Sequence, residues 1–405
     1  MISKITERIR QNEKWINLAY YLVYAALFFS ALVGTTEFMQ WTYVPYIRNM
    51  VYMGATAVML LLWGLSLALQ SDFRINAAKI LILAIGILQF VFGGGSSLML
   101  ILTILIGATD RKSADIILKG SLIIGLLVLC VTYLASMNGY IAYRISGDRR
   151  HFFGFIYYSH FSDKLLYLYM MYRCLRNKRE SLIGYALILE IVYLNYRYTH
   201  ARTVTICFLV FILFCAVYDI WKWKYENRQV EVTKTTGGLW GKISYGMAVL
   251  TSGAYIWAAL LSMGGIVVYR LLETMDQAKI PEYLQTFMVR LFFNSRALEE
   301  YGITVFGQKV YEMTNTYGGE NIISGAFYLD NSFMRLFVIT GVVTLVFFIV
   351  YMTFFMWRTF QEKRICLFAA LLVAAIGGLS ETYTINFYYN VFLILAFSNL
   401  GDIGE

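Results

Sequence analysis

The chain has 405 residues, of which 59% are hydrophobic and only 15% charged, and its net charge is +9. Soluble domains carry about 25% charged residues, so a soluble globular fold is excluded and an integral membrane protein is expected. The positive surplus calls for no nucleic acid, because most of it lies in short loops that would face anionic lipid headgroups.

Crossing a bilayer as a helix takes roughly 17 to 25 apolar residues. In chain order, stretches of about that length occur near 15–34, 49–69, 78–93, 95–109, 118–137, 161–175, 181–196, 203–221, 244–268, 331–356, 365–380 and 383–400. The expected fold is therefore all-α: one polytopic membrane domain over 1–405 with about twelve transmembrane helices. The first stretch is too long, and too poor in a small-residue cleavage site, for a removed signal peptide. With the N-terminus inside, twenty-one of the 34 Lys and Arg residues fall in inner segments and every short inner loop is basic. The positive-inside rule chooses this orientation and puts both termini in the cytoplasm. Cys130, Cys174, Cys207, Cys215 and Cys366 lie in spans or at their inner ends, which signals neither a disulfide framework nor a metal cluster. The two prolines, Pro45 and Pro281, fall outside the spans, so helices broken by proline are not signalled.

Thirteen basic residues remain outside, most of them arginines in three loops, and positive charge kept there suggests an anion to hold. The first loop, 138–162, reads NGYIAYRISGDRRHFFGFIYYSHFS and carries Arg144, Arg149 and Arg150 among aromatics. The turn YRYTHART supplies Arg197 and Arg202. Glu190, seven residues before Arg197, shares its helical face and is an intramembrane carboxylate. A third loop spans 269–330, far longer than a connection needs. Within it Pro281 precedes Leu284, Phe287, Met288, Leu291 and Phe292, spaced as one face of an amphipathic helix expected on the outer leaflet, with Arg290 at its edge. Arg296 follows, and Asp330, Asn331 and Ser332 close the loop as N-cap residue types. Arg149, Arg150, Arg197, Arg202, Arg290 and Arg296 are expected to share an anion site, since guanidinium binds phosphate in several places at once. Arg48, Arg270 and Arg335 lie near span ends and are expected to reach lipid phosphates. His151, His160 and His200 lie in the first two outer regions. No phosphate-binding G-x-x-x-x-G-K motif, zinc H-E-x-x-H, nucleophile G-x-S-x-G or outer D-x-D is present, so no cofactor or metal is expected.

The runs FNSRALEEYGITVFGQKVYE (293–312) and LDNSFMRLFVITG (329–341) resemble the large-loop signature of Wzy-type polysaccharide polymerases of capsule, exopolysaccharide and O-antigen systems. The matching positions are Arg296, the pairs Tyr301-Gly302 and Phe306-Gly307, and Asp330-Asn331-Ser332 with Gly341. Arg150, Gly154 and Phe155 match the family's first-loop pattern, and Arg202 matches the start of its following span. Two positions depart from the pattern: His160 stands where the family often has Asn, and Phe333 where it has Tyr. The related O-antigen ligases tend to carry His at the position of Asp330, which favours a polymerase.

The resemblance implies a GT-C-like membrane protein of the bacterial cytoplasmic membrane that acts on undecaprenyl-pyrophosphate-linked oligosaccharides. The implied reaction moves the growing glycan from its carrier onto a new lipid-linked unit without metal. Arg296 and Arg202 would stabilise the pyrophosphate, helped by Arg149, Arg150, Arg197, Arg290 and Asn331. Asp330 is the first candidate base, with Glu381 and His160 behind it. Membrane lipid, a flippase and a chain-length regulator of the same pathway are the implied partners. An O-antigen ligase-like transferase, a lipid-linked oligosaccharide flippase and a non-catalytic scaffold remain the alternatives.

Overall fold

The computed structural model describes residues 12–93, 97–146, 149–176, 178–226, 239–273, 282–312, 327–401 and 403, with the side chains of 225–226, 239–245 and 282–287 excepted. Outside these lie Lys4, Arg8, Arg10, Lys234, Lys279, Pro281, the loop residues 313–326 and the side chains of Leu284 and Phe287.

The described residues form fourteen α-helices and no strand: α1 (Glu13–Val33), α2 (Val44–Leu69), α3 (Phe73–Phe92), α4 (Ser97–Ala108), α5 (Ala114–Met137), α6 (Tyr158–Leu175), α7 (Leu182–Thr199), α8 (Arg202–Glu226), α9 (Leu239–Ser252), α10 (Ala254–Glu273), α11 (Glu282–Tyr301), the single turn α12 (Ser332–Arg335), α13 (Val342–Gln361) and α14 (Ile365–Gly377). Seven of them, α1, α2, α3, α5, α8, α10 and α13, are long and apolar enough to cross a membrane, and α4 and α14 are shorter apolar helices. The chain is an all-helical, polytopic membrane protein.

Residue spacing explains the packing of α1, where Tyr20, Tyr24, Leu27, Phe28 and Ala31 recur at three- and four-residue steps and are buried. Lipid tails are as apolar as these side chains, so burial alone does not pair helices in a membrane. Hydroxyl contacts add direction: Tyr20 meets the Thr109 hydroxyl and Tyr24 meets Ser121, each at 2.8 Å. Asp72, Ser113 and Ser181 cap α3, α5 and α7 by accepting from backbone N–H groups one turn in.

Three expected spans take another form. The span at 244–268 is divided at Gly253 between α9 and α10. The span at 331–356 begins with α12, continues as a π-turn over Leu336–Thr340, and restarts as α13 after Gly341. Glycine, not proline, makes this break: Gly341 has φ +89° and Gly307, facing it, has φ +99°. A Cβ on Gly341 would lie 2.3 Å from the Gly307 nitrogen, so only glycine fits on either side. The large loop fills the gap. Val342 N–H donates to the Thr304 carbonyl at 3.0 Å, Val343 to Val305 at 3.1 Å, and Gln308 N–H to Ile339 at 3.0 Å. Groups orphaned at a helix end are thus satisfied by loop backbone.

The segment expected as a helical span over 383–400 forms two 3-10 turns, Thr382–Ile385 and Val391–Phe397, joined by irregular chain. Phe387, Val391, Phe392, Leu393, Ile394 and Leu395 have no exposed surface at all. Irregular backbone is tolerated at membrane depth only inside protein, and here its carbonyls find donors: Tyr351 OH on Leu393, Arg358 Nη1 on Ala396 and Arg111 N–H on Phe397. The segment runs down the middle of the bundle from Glu381 at the loop-rich end to Asn399 at the opposite end, where Asn399 exchanges backbone bonds with Lys112 and Ala114.

The amphipathic pattern at 284–292 lies in a helix, α11, but its apolar face is turned to protein and not only to lipid. Leu291 is buried beside Gly265 of α10, while Phe292 is exposed.

Candidate functional site

Three separate parts of the chain meet where α11 crosses the loop-rich end. Arg290 of α11 reaches Asp330, at the close of the large loop, with Nε 3.5 Å from Oδ2. Its Nη2 lies 3.8 Å from a carboxyl oxygen of Glu381 in the turn after α14. Nη1 donates to the Thr203 hydroxyl of α8 at 3.5 Å, and Ser380 shares that hydroxyl at 3.0 Å. One guanidinium therefore faces two carboxyls at distances longer than a closed ion pair. It neutralises one of them at most.

The electrostatics follow from this sharing. Burial pushes the Glu381 carboxyl up to about 8, against the pull of Arg290 and with the help of the Asp330 charge. Asp330 is also raised, first by loss of solvent, while Arg290 and Arg335 draw it back. Tyr157, from the first outer loop, is raised by burial, by Tyr158 and by the nearby Asp330 and Glu381 charges. The first loop thus borders the same carboxyls as the large loop.

Asn331 holds Asp330 in place. Its Oδ1 accepts from the N–H of Phe333 and Met334 at 2.9 and 3.0 Å, capping α12, and its Nδ2 donates to Ser262 and to the Leu379 carbonyl. Both donors and both acceptor positions are used, so its part is positioning rather than contact with a ligand. Ser332 ties the same turn to the Gly378 and Glu381 carbonyls. Of the three candidate caps at 330–332, Asn331 is the one that caps.

The other expected site residues fall into two further groups. Arg150 stacks its guanidinium 4.8 Å over Tyr158, and the bond from His151 N–H to the Tyr198 carbonyl draws Arg149 and Arg150 toward Arg197 at the end of α7. Arg149, Arg197 and Arg202 are exposed and make no ion pair among the described residues. Arg202 directly precedes Thr203 and so borders the Arg290 cluster. Arg296 stands apart: it is tied to Glu300 at 2.6 Å and lies over the Phe327 ring. Glu190 is exposed on α7. Arg335 and Arg270 pair with Glu312 and Glu299, and Arg48 donates to the Ser30 carbonyl, which accounts for three arginines expected to reach lipid.

His160 lies deeper, edge-on to Tyr383 and Tyr389, with Nδ1 3.5 Å from the Thr35 carbonyl. Sequence reasoning passed over its neighbours Asp163 and Lys164, each 3% exposed. Lys164 donates to Thr35 at 2.7 Å and to Tyr389 at 3.1 Å. It also passed over Glu37, which clamps Arg144 through both oxygens and ties the connection between α1 and α2 to the 138–162 loop. Two adjacent ionisable residues one turn into an otherwise apolar span were the available signal for the first pair.

Chemically, the loop-rich end offers a carboxyl raised to about 8, a second carboxyl beside it, a guanidinium between them and the exposed Arg202 next to Thr203. That combination suits removal of a proton from a hydroxyl next to an anionic leaving group. Compared with protein-family models, curated proteins and solved structures, the chain matches none of them.

Proposed function

We propose that the protein polymerises undecaprenyl-pyrophosphate-linked oligosaccharide repeat units at the outer face of the bacterial cytoplasmic membrane. The chain would cross twelve times, with the broken tenth and the non-helical twelfth crossing included and both termini inside. In the reaction the bond between the donor sugar's anomeric carbon and the pyrophosphate oxygen breaks. A bond forms from that carbon to a hydroxyl oxygen of the acceptor unit, whose proton passes to a carboxylate. Undecaprenyl pyrophosphate leaves as an anion, met by arginine.

The observation that carries this reading is Arg290 of the large loop held between Asp330 and Glu381, with Arg202, Arg197 and Arg149 exposed and, among the described residues, in no ion pair. Glu381 is the base, because a carboxyl raised to about 8 is the better proton acceptor at working pH. Asp330 keeps Arg290 in reach. Arg202, Arg197, Arg149 and Arg150 hold the pyrophosphate, and Arg296, restrained by Glu300, borders the acceptor side.

The test is purified protein in proteoliposomes given lipid-linked repeat units. A ladder of polymer with release of undecaprenyl pyrophosphate is expected. Movement of the lipid-linked unit across the bilayer without polymer would make the protein a flippase, and transfer only to a different acceptor would make it a ligase; either result sinks the proposal.

A further inference from the structure

Beneath Glu381 lies a small cavity of about 10 Å³, lined by Asp163 of α6, Thr203 of α8, Glu381, Tyr383 and Thr384 among apolar side chains of α6, α8 and α14. A single water needs about that much room and two to four polar partners. Asp163 is 3% exposed, and among the described residues it makes no ion pair and its Oδ2 has no hydrogen-bond partner. The neighbouring ammonium does not serve it, since Lys164 donates to Thr35 and Tyr389 and packs over the Tyr389 and Phe155 rings. Tyr383 is occupied by Ser159, and Thr384 donates to the Ala374 carbonyl. A carboxylate buried this deeply without a partner is costly, whereas a neutral carboxylic acid can serve as a donor.

We propose that Asp163 is a protonated positioning residue that donates, through one water in this cavity, to the carboxylate of Glu381. The unpartnered Oδ2 carries the proton, the water bridges, and Glu381 receives the bond on the face turned away from Arg290. Glu381 thereby has a cation on its outer side and a neutral donor on its inner side. Its role as base rests on the functional reading above; the bridged pair does not. The charged and titratable groups around the pair are Arg290, Asp330 and Tyr157 on the Glu381 side, and Lys164, Tyr167, Cys207, Tyr383 and Tyr389 on the Asp163 side.

The experiment is infrared titration of the full chain in nanodiscs, following the carbonyl stretch of protonated carboxyls. In the wild type one protonated carboxyl is expected to survive above the pH at which Glu381 ionises, and Asp163→Asn should remove it. Asparagine keeps a donor, so the Glu381 step should stay where it is. Asp163→Leu removes the donor, so the step should rise by at least about one pH unit. Glu381→Gln should keep the surviving carbonyl band but shift its frequency, because the water then bridges to a neutral amide instead of a carboxylate. Glu381→Gln leaves Asp163 in place, so the pair stays testable even if the leucine variant does not fold. Loss of the surviving band in no variant, or an unmoved Glu381 step in Asp163→Leu, would overturn the proposal. Absence of polymer formation with these titration shifts intact would count against the functional reading alone.

Discussion

The two ends of the bundle treat charge in opposite ways. At the end away from the large loop, two groups of charged side chains are buried and paired. Arg173, 1% exposed, donates to both oxygens of Asp219 at 3.0 Å, and Asp219 also accepts from Tyr185 and from the Glu180 N–H. Lys79 and Asp110 meet at 2.7 Å with Gln70 joining them. At the loop-rich end one arginine is stretched between two carboxyls, and three other arginines have no ion partner among the described residues. What separates the Arg173 and Lys79 groups from the Arg290 cluster is whether the buried charges close on one another. A satisfied charge holds helices together, whereas a charge left poised is available to a ligand.

The largest effect should come from the poised end, and it should fall on activity. Glu381→Gln is expected to lower polymer formation by about 10²–10⁴-fold, the range for loss of a general base. Arg290→Ala should cost about 10²–10³-fold, the range for loss of one electrostatic donor at a developing anion. Neither should greatly reduce folded protein. If Arg290→Ala instead unfolds the chain while the surviving fraction works normally, the two ends do not differ and Arg290 is one more structural cation.

Asp219→Ala is the matching change at the opposite end. It leaves a buried guanidinium without its carboxylate, a class of change that costs roughly 3–5 kcal/mol. Thermal melting in detergent should show a marked loss, while the specific activity of the remaining folded protein should be close to wild type. Activity lost without loss of stability would contradict the division between the ends.

Stability against pH sharpens the comparison further. The folded Glu381 carboxyl titrates near 8, above its ordinary value of 4.5. The folded state therefore binds this proton more tightly than the unfolded chain does. The stabilisation is complete below about 4.5, declines as pH rises, and is lost once pH passes 8. Melting temperature should fall across that window in the wild type, and Glu381→Gln should flatten the slope. Asp219→Ala has no reason to change this slope.

Much of the bundle was legible in the sequence because hydropathy reports on lipid contact. α1, α2, α5 and α8 lie within a few residues of the stretches expected for them. The exceptions share one cause. The segment at 383–400 is as apolar as a span because protein surrounds it on all sides, and apolar composition cannot distinguish a lipid-facing helix from an irregular strand of chain in the core. The break at Gly341 was hidden because its partner, Gly307, lies 34 residues away and the fit is made by backbone atoms. In the site, Asp330 and Glu381 were legible as ionisable residues at span ends, and Arg290 as a cation at the edge of the amphipathic helix in the large loop. Their meeting was not, since it depends on where α11 lands. Asp163 was missed because it lies beside Lys164, and adjacent opposite charges read as a pair until the structure shows the lysine turned to Thr35 and Tyr389.

The smallest effect concerns the neighbours Asp330 and Asn331, whose side chains are nearly the same size. Asn331 caps α12 with its oxygen and fixes the turn to α10 and to the Leu379 carbonyl with its nitrogen. Removing the cap in Asn331→Ala should cost roughly 1–2 kcal/mol, at the upper part of the range for N-caps because buried partners are stranded as well. Asp330 caps nothing. Its side chain is 39% exposed and faces Arg290, so Asp330→Asn should stay within about 0.5 kcal/mol of wild type. The same substitution removes the charge that shares Arg290 with Glu381. Because Asp330 raises Glu381, its neutralisation should move the Glu381 titration to lower pH, and the acid limb of the rate profile should move with it. Asp330→Asn that leaves this limb in place while destabilising the fold would mean that Asp330, and not Asn331, anchors the turn. The poised end would then be held together by charge in the same way as the opposite end.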